Sequence, residues 1–297
     1  MCNGKQIPAI GLGTWQSSEK EVYDAVLVAL KEGYRHIDTA YAYGNENAIG
    51  KAIKASGIPR QEIFVTTKLW STYHHNPEVG LELSLNNLGL DYVDLYLIHW
   101  PVAMNPHGND PKFPTLEDGL RDILPDVDFV DTYNKLQKLV TTGKAKSIGV
   151  SNLSKTNLKK LLDAETTTIK PVVNQVELHP YLPQHELLKF AKEHDIYLEA
   201  YSPLGSSDST LLTDKKLTEI ADKYNVSVAT LLISWAEARG TIVLPKSVTP
   251  SRIKSNLQVV DLDAEDVEKI DNFHKESGIR RLINPDWSPI KVFDSDL

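Results

Sequence analysis

Hydrophobic residues along this chain follow two alternating periods. Short runs rich in β-branched and other apolar residues are separated by longer segments in which apolar residues recur every three or four positions. The short runs predict eight strands, at residues 10–15, 35–39, 63–69, 93–100, 147–152, 172–178, 196–202 and 241–247. Because strands that alternate with helices form parallel sheets, the repeat predicts an α/β fold, a (β/α)8 TIM barrel.

The helical segments carry start and stop signals. Ser18 and Glu21 have the spacing of a capping box, which predicts a helix start, and Gly33 predicts the end of that helix. Pro77 and Pro183 predict the first turns of two further helices. Because helices would cover the sheet from outside, we expect the barrel strands to be apolar on both faces.

Two stretches interrupt the repeat. Residues 101–127 form a long proline-rich loop after the fourth predicted strand, and residues 275–297 form an irregular tail that contains Trp287. Long segments on the catalytic face of a barrel commonly decide specificity, so we expect both stretches to shape the substrate pocket. For residues 101–127, a simple solvated loop is the alternative.

Composition and charge narrow the class of protein. The 297 residues fit one barrel of about 250 residues with extra loops, which predicts a single domain over 1–297, although length alone also allows two domains. The net charge of −8 argues against nucleic acid or an anionic membrane as the main partner. The single cysteine, Cys2, excludes an intrachain disulfide and suits a reducing, cytoplasmic setting. No apolar run is long enough to span a membrane, and the N-terminus lacks the pattern of a secretory signal.

Four residues with reactive side chains lie at or just after predicted strand ends, namely Asp38, Tyr43, Lys68 and His99. In a closed barrel these strand ends meet on one rim. A free tyrosine has a pKa of about 10, which is high for a proton donor near neutrality, and a nearby ammonium group lowers it. Lys68 can supply that ammonium, Asp38 can hold it, and His99 can bind a carbonyl oxygen. The set predicts proton transfer to a carbonyl group.

Each of these residues also has a simpler interpretation. A histidine at a strand end is more often structural than catalytic, Asp38 fits a helix N-cap, and Lys68 fits a surface lysine. On spacing alone, Tyr41 competes with Tyr43 as the proton donor. An aldolase that forms a Schiff base through Lys68 is a further alternative.

Reduction of a carbonyl group to an alcohol would need a source of hydride as well as a proton donor. The segment 11–16 lacks the third glycine of a dinucleotide-binding fingerprint, and no acidic residue follows at the expected distance. The better candidate is 245–252, a turn before a predicted helix that Thr249 or Ser251 would cap. Lys246 and Arg252 in this turn are suited to the extra phosphate of NADPH. A solvated basic turn is the alternative.

Tryptophans are placed to form an apolar pocket. Trp15, Trp70 and Trp100 directly follow predicted strand ends, and Trp287 lies in the tail. Around one rim they would enclose a carbonyl substrate, although tryptophan is also common in a barrel core. Trp235 lies in a helical segment and is expected in the core.

Histidines suggest a metal site at first sight, but their spacing argues against one. His74, His75 and His179 belong to no HExxH motif, and one cysteine cannot build a zinc cluster. No metal site is therefore predicted.

An ordered series of motifs resembles the aldo-keto reductase family along nearly the whole chain. The motifs are GLGTW, RHIDTA, YGNE, TTKLW, LYLIHWP, GKAKSIGVSN, VVNQVELHP, AYSPLG and VLPKS. The resemblance implies a catalytic tetrad in which Tyr43 is the general acid, Lys68 and Asp38 tune it, and His99 orients the carbonyl. It also favours Tyr43 over Tyr41.

The same resemblance implies a set of positions around the cofactor. Ser151, Asn152 and Gln175 would bind the nicotinamide carboxamide, and Tyr201 would stack on the nicotinamide ring. The pyrophosphate would be bound by Ser202, Leu204 and Ser206. The 2′-phosphate would be bound by Lys246, Ser247, Thr249, Arg252 and Asn256. The remaining expected contacts with NADPH are Thr14, Trp15 and Val248.

The sequence therefore predicts an NADPH-dependent oxidoreductase that reduces aldehydes and ketones to alcohols. It resembles fungal reductases of small aldehydes, ketoesters or glycerol-type substrates. A xylose-reducing role is less expected, because Val248 stands where that subgroup has an asparagine after Lys-Ser. A non-catalytic cofactor-binding subunit, or a structural protein on the same fold, is the alternative. The expected partner is a small carbonyl compound, with no nucleic acid, membrane or obligate protein partner.

Overall fold

The computed structural model describes residues 6–206 and 209–294, so Cys2 lies outside the described residues. Its eight strands run parallel in one sheet, in chain order. They are β1 (Leu12–Gly13), β2 (His36–Asp38), β3 (Phe64–Leu69), β4 (Leu95–Ile98), β5 (Ile148–Ser151), β6 (Val173–Glu177), β7 (Tyr197–Tyr201) and β8 (Ile242–Leu244). Each strand lies within one of the eight predicted runs.

The sheet closes on itself between its first and last strands. Parallel bridges join Ile10 to Val243 and Gly13 to Lys246. The backbone N–H of Gly11 donates to the carbonyl of Val243 at 2.9 Å. These contacts turn the sheet into a cylinder, and the prediction of a (β/α)8 barrel is confirmed.

Helices alternate with the strands and surround them. Those in the described ranges are α1 (Glu19–Glu32), α2 (Glu46–Ala55), α3 (Pro77–Leu88), α4 (Phe129–Thr141), α5 (Lys155–Asp163), α6 (His185–Glu193), α7 (Lys215–Lys223), α8 (Val228–Ala238), α9 (Pro250–Asn256), α10 (Ala264–Asp271) and α11 (Phe273–Ser277). None of these combines the length and the hydrophobicity needed to cross a membrane.

Helix α1 has the predicted signals at both ends. The Ser18 side-chain oxygen accepts from the backbone N–H of Glu21 at 3.4 Å, and the Glu21 carboxylate accepts from the backbone N–H of Ser18 at 3.1 Å. Gly33 ends the helix with a φ of 110°, a left-handed conformation that glycine adopts without strain. Both predictions are confirmed. Helix α6 begins later than predicted, because Gln184 takes the N-cap position with a left-handed φ of 54°.

The hydrophobic core has two parts. The larger part lies between the helices and the outer face of the sheet, and it includes Val26, Ile37 and Leu231. A smaller cluster fills the barrel interior where several strands begin, and its members are Phe64, Leu95, Leu97, Val172, Val173 and Ile242. Burial of this apolar surface is the main favourable term in folding.

The barrel interior nearer the carboxyl ends of the strands departs from the expected apolar lining. Asp38, Thr66, Lys68, Gln175 and Glu199 are all buried there. Buried polar groups are tolerated when they are paired, and each of these five has a hydrogen-bond partner. These five residues lie directly beneath the rim.

The two segments that interrupt the repeat pack against each other on the carboxyl-end face. Within the loop 101–127, Met104 forms an antiparallel bridge with Ile123, so the chain folds back on itself. Met104 shares a buried cluster with Trp100 and with Trp287 of the tail. The loop is therefore not simply solvated, and the tail covers part of the rim.

Candidate active site

A cavity of about 670 Å³ opens at the carboxyl ends of the strands. Residues at or after every strand contribute to its wall, for example Thr14, Asp38, Trp70, Trp100, Ser151, Gln175, Tyr201 and Lys246. This is the face of a barrel on which chemistry is housed. The cavity brings most of the predicted site residues together.

Asp38 and Lys68 form a buried ion pair at the base of the cavity. The Lys68 Nζ donates to both carboxylate oxygens of Asp38, at 2.9 and 2.8 Å, and to the carbonyl of Thr39 at 2.9 Å. Burial is the largest single effect and opposes the charge on Lys68, but Asp38, Tyr43 and Glu199 together outweigh it, and the pKa of Lys68 is raised. The ammonium group is therefore firmly charged and fixed in place.

Tyr43 lies in a short 3₁₀ turn, Tyr41–Tyr43, that follows β2. Its phenol oxygen accepts a hydrogen bond from Lys68 Nζ at 3.3 Å. Burial raises the pKa of Tyr43, and Lys68 lowers it by a smaller amount. The net shift of the pKa is therefore upward, whereas the sequence analysis predicted a downward shift. The lowering effect of Lys68 is present, but desolvation of the phenolate is larger.

Tyr43 and Tyr41 differ in their contacts, a distinction that their spacing in the sequence could not give. Tyr43 lines the cavity beside Lys68. Tyr41 instead turns to Tyr73, with the two hydroxyl oxygens 3.4 Å apart and the rings edge to face. Of the two phenols, Tyr43 is the one placed for proton transfer.

His99 follows β4 and packs edge to face against Tyr43 and Trp70, with ring centres 5.6 and 5.2 Å away. Burial, assisted by the charge of Lys68, holds the pKa of His99 well below its usual value. The imidazole is therefore neutral at physiological pH and carries one N–H for donation. Its Nδ1 is buried and has no partner within the described residues.

Glu199 is a site residue that sequence reasoning missed. The Gln175 side-chain amide donates to Asp38 at 2.8 Å and to Glu199 at 2.7 Å, so the two carboxyl groups share one donor. Burial, and then the negative charge of Asp38, raise the pKa of Glu199 to about 8. The strand period was the available signal, because Glu199 lies two positions before Tyr201 and shares its inward face.

The predicted nicotinamide contacts form a connected network on one wall of the cavity. The Tyr201 hydroxyl donates to the Asn152 side-chain oxygen at 2.8 Å, and the Asn152 amide donates to the carbonyl of His99 at 2.9 Å. The Ser151 hydroxyl donates to the carbonyl of Gln175 at 2.8 Å. Asn152 has a φ of 60°, a left-handed conformation that is uncommon for a non-glycine residue and is typical of functional sites.

The loop after β7 continues this wall. Ser202, Leu204 and Ser206, the expected pyrophosphate contacts, line the cavity, whereas residues 207–208 lie outside the described residues. Ser202 has a left-handed φ of 50°. Gly205 has a φ of 81°, and a Cβ there would lie 2.2 Å from the Ser209 hydroxyl. Only glycine suits this tight turn.

The predicted phosphate-binding segment lies at the edge of the cavity. Lys246 is exposed and lines the cavity wall, whereas Thr249 and Arg252 are exposed beyond it and Asn256 is buried. Residues 247 and 248 are half-buried and also lie outside the cavity wall. Thr249 takes the N-cap position of α9, but its side chain makes no capping hydrogen bond.

The four tryptophans expected around the substrate all reach the cavity. Trp70, Trp100 and Trp287 are buried and line the cavity, and the rings of Trp100 and Trp287 lie 5.2 Å apart. Trp15 also lines the cavity but is 40% exposed. Trp235 lies in the core, where its indole N–H donates to Asp271 at 2.9 Å.

The long loop and the tail add lining residues that sequence reasoning did not name. Phe113 and Arg121 enter the cavity wall from the loop 101–127, and Leu282 and Ile283 enter it from the tail. The ring of Phe113 lies 5.3 Å from that of Trp70. A loop sequence gives no period from which such positions can be read.

A buried carboxylate anchors the tail to the barrel. Glu177, at the end of β6, accepts from the backbone N–H groups of Leu282 at 2.6 Å and Ile283 at 3.0 Å. The His179 Nε2 lies 2.8 Å from the same carboxylate. The chain that forms one wall of the pocket is therefore tied to a barrel strand.

Within residues 6–206 and 209–294, no group of three or more His, Cys, Asp or Glu side chains could hold a metal ion. His179 is paired with Glu177, and the Nδ1 of His74 lies 3.3 Å from the Thr132 hydroxyl. These histidines have structural contacts.

Comparison with known proteins gives a consistent result. The model of the aldo/keto reductase family matches residues 9–275. A glycerol 2-dehydrogenase (NADP(+)) from Saccharomyces cerevisiae is 54% identical over 295 residues, which cover 98% of this chain and 95% of that protein. A D-galacturonate reductase from Hypocrea jecorina is 51% identical over 277 residues, which cover 92% of this chain and 89% of that protein.

A solved structure supports the same assignment. An aldose reductase from Schistosoma japonicum is 40% identical and has a TM-score of 0.87, covering 95% of this chain and 92% of that one. With the ion pair, phenol, imidazole and aromatic pocket assembled on one rim, these matches show that the chain belongs to the aldo/keto reductase family and is an NADP-dependent oxidoreductase that reduces carbonyl groups.

Proposed function

We propose that Tyr43 is the general acid in the reduction of small aldehydes and ketones by this enzyme, and that Asp38, Lys68 and His99 complete the catalytic set. The observation that carries the proposal is the chain of contacts from Asp38 through Lys68 to the phenol of Tyr43 at the base of an aromatic cavity. A binding-only or structural role would not need a proton donor beside a substrate pocket.

The side chains around the cavity fit NADPH. One wall carries the hydroxyl and amide groups of Ser151, Asn152 and Gln175 next to the ring of Tyr201, which suits a flat ring with a carboxamide. The opposite wall is aromatic, and Lys246 stands at the edge. The bound cofactor would supply the hydride to the carbonyl carbon.

The residues of this chain would then manage the carbonyl oxygen. Tyr43 and His99 both present hydrogen-bond donors at the base of the cavity, and together they would bind that oxygen and stabilise the negative charge that develops on it. Tyr43 would give up its phenolic proton to form the alcohol. Lys68, held by Asp38, would stabilise the phenolate that is left.

The raised pKa of Tyr43 suits this role. Because burial favours the neutral phenol, Tyr43 carries its proton throughout the neutral range and is ready to donate it. The contribution of Lys68 matters only when the proton leaves, because that is when a charge appears on the phenol oxygen. Stabilisation of a charge present only in the transition state and product accelerates the reaction.

Selectivity for NADPH is proposed to come from the segment that follows β8. Lys246 and Arg252 carry exposed positive charges there, and neither forms a salt bridge within the described residues. A guanidinium and an ammonium group would pair with the 2′-phosphate that NADH lacks. Ser247, Val248, Thr249 and Asn256 are the remaining proposed contacts on this segment, and Thr14 and Trp15 are proposed contacts after β1.

The substrates are proposed to be small aldehydes, ketoesters or glycerol-type compounds. The pocket is bounded by Trp70, Trp100, Phe113 and Trp287, which leaves an apolar space of limited size. The fungal relative named glycerol 2-dehydrogenase supports a glycerol-type substrate among these. We also propose that the enzyme acts in the cytoplasm as one domain without an obligate protein partner.

The proposal is tested by following NADPH and NADH oxidation with an aromatic aldehyde. Turnover with NADPH should collapse in Tyr43→Phe, by about a thousandfold as expected for loss of a general acid, while Tyr41→Phe should stay near the wild type. Turnover that survives in Tyr43→Phe would refute the assignment. Borohydride trapping of a substrate on Lys68 would instead support the aldolase alternative.

A further inference from the structure

Arg121 is a charged residue on the otherwise aromatic side of the cavity. It lies in the loop 101–127, where a short antiparallel bridge with Thr115 holds its backbone. Its guanidinium carbon lies 4.4 Å from the centre of the Trp287 ring, and its side chain lines the cavity. The stacking fixes the plane of the guanidinium group against the pocket wall.

The guanidinium group has no anionic partner at contact distance in the described part of the chain. Asp286 is the carboxylate that acts on it through space, but no ion pair forms between them. The Asp286 carboxylate is exposed, and it accepts from the backbone N–H and the hydroxyl of Ser288 at 2.9 and 2.7 Å. The indole N–H of Trp287 is also buried without an acceptor.

The Arg121 guanidinium is half-buried and has lost part of its contact with water without gaining an anionic partner. Burial lowers the pKa of Arg121, against the smaller opposing effect of Asp286, which shows that desolvation is not compensated. Charged groups removed from water normally have a partner, because an unpaired one costs free energy. The free fork of N–H groups matches the two oxygens of a carboxylate.

The cofactor phosphates are poorly placed to be that partner. The proposed phosphate contacts follow β7 and β8, whereas Arg121 lies in the loop after β4. In an eight-stranded barrel with strands in chain order, β4 and β8 lie on opposite sides. Arg121 instead stands beside Trp100 and Trp287, which bound the proposed substrate space.

We propose that Arg121 forms a carboxylate-binding subsite, so that the enzyme prefers aldehydes or ketones that carry a carboxylate over neutral carbonyl compounds of the same shape. This inference rests on the proposed function. The aromatic side chains beside the guanidinium reduce its exposure to water, and a charge-assisted pair is stronger in such surroundings than in bulk water. Trp287 would hold the guanidinium in the orientation that receives the carboxylate.

The test compares matched substrates with the NADPH-saturated enzyme. The anionic substrates are 3-carboxybenzaldehyde, 4-carboxybenzaldehyde and succinic semialdehyde, and each is paired with its methyl ester. The variants are Arg121→Met, which keeps an unbranched apolar side chain on Trp287, and Arg121→Lys, which keeps the charge without the fork. Lys112→Met is the matched control, because it removes one positive charge from the same loop outside the cavity wall.

In the wild type, at least one acid should have a lower KM than its ester. In Arg121→Met the KM of that acid should rise about tenfold or more, as expected for loss of one charge-assisted pair, with kcat and the ester kinetics nearly unchanged. Arg121→Lys should be intermediate and Lys112→Met like the wild type.

The inference is overturned if the wild type prefers none of the acids, or if Arg121→Met affects acids and esters equally. A wild-type enzyme that reduces neither acids nor esters would instead count against the proposed function itself. A preference for acids that Lys112→Met weakens as much as Arg121→Met would indicate general electrostatic attraction and would also overturn the subsite.

Discussion

The Nζ of Lys68 lies 3.3 Å from the phenol oxygen of Tyr43. The same ammonium group is paired with Asp38, so it combines a structural contact with the proposed catalytic one. This double role makes single substitutions hard to interpret, because removing Lys68 would also leave a buried carboxylate unpaired.

A pair of variants separates the two roles of Lys68. Lys68→Met should lose activity by about a hundredfold or more, because nothing would stabilise the phenolate, and should lower stability by about 3–5 kcal/mol, because Asp38 is left alone. The double variant Asp38→Asn with Lys68→Met should recover much of the stability but none of the activity. Thermal unfolding and steady-state kinetics measure these effects. Recovery of both stability and activity in the double variant would contradict the proposed catalytic role of Lys68.

Glu199 should make stability fall as pH rises toward 8. Its pKa is raised to about 8 in the folded protein, so above the unfolded value of 4.5 the folded state binds one more proton than the unfolded state. Buried His36, whose pKa is lowered to about 4, has the opposite effect and makes stability rise with pH. This effect is confined to pH values below about 6.5, where His36 is protonated in the unfolded state. Asp38 on β2, Lys68 on β3 and Gln175 on β6 act on Glu199 within the barrel, and the Nε2 of His36 lies 3.6 Å from its carboxylate; all four residues are unchanged in the variant proposed.

The prediction is therefore confined to the interval from about pH 7.5 to 8.5, where His36 is almost fully neutral in both the folded and the unfolded state. Between these values the melting temperature of the wild type should fall relative to that of Glu199→Gln. Melting curves of both proteins across this interval measure the difference. A constant difference would show that Glu199 does not retain a proton in the folded protein.

Arg252 should decide between the two nicotinamide cofactors. Arg252→Ala should raise the Kd of NADPH about tenfold, the loss expected for one charge-assisted phosphate contact, and leave that of NADH unchanged. Lys254→Ala is the control on the same helix, because Lys254 is exposed and lies 3.5 Å from Glu32 rather than toward the cavity. Tryptophan fluorescence quenching measures both constants. Equal weakening of NADPH and NADH binding would refute the assignment.

Glu177→Gln should loosen the tail without unfolding the barrel. A glutamine keeps one acceptor oxygen, so it cannot hold both the Leu282 and the Ile283 N–H groups. Hydrogen exchange should become faster at residues 280–287 and stay slow in β6. The KM of bulky aldehydes should rise more than that of small ones, because only bulky substrates need the tail wall. Unchanged exchange in the tail would contradict the anchoring role.

Local patterns allowed much of the fold to be predicted. The eight strands lie within the eight apolar runs, and Ser18 and Gly33 mark the ends of α1, because these signals depend on neighbours in the chain. The choice between the two candidate proton donors was harder. Tyr41 and Tyr43 are equivalent in spacing, and the resemblance to a family separated them before the contact with Lys68 was seen.

The residues that sequence reasoning missed depend on contacts between distant segments. Glu199 meets Asp38 only through Gln175, from another strand. Arg121 faces the cavity only because the loop folds back and Trp287 arrives from the tail. The predicted direction of the Tyr43 pKa shift was wrong for a related reason. The burial of the phenol, which raises its pKa, depends on residues from the whole rim.

The closure of the barrel between β1 and β8 has a consequence for the energetics of cofactor binding. The seam is made by isolated bridges, one of which joins Gly13 to Lys246. Thr14 and Lys246 stand on its two sides, and both line the cavity. NADPH that contacts both would bridge the join between the first and last strands, so binding of the cofactor should stabilise the closed barrel against local opening at this seam.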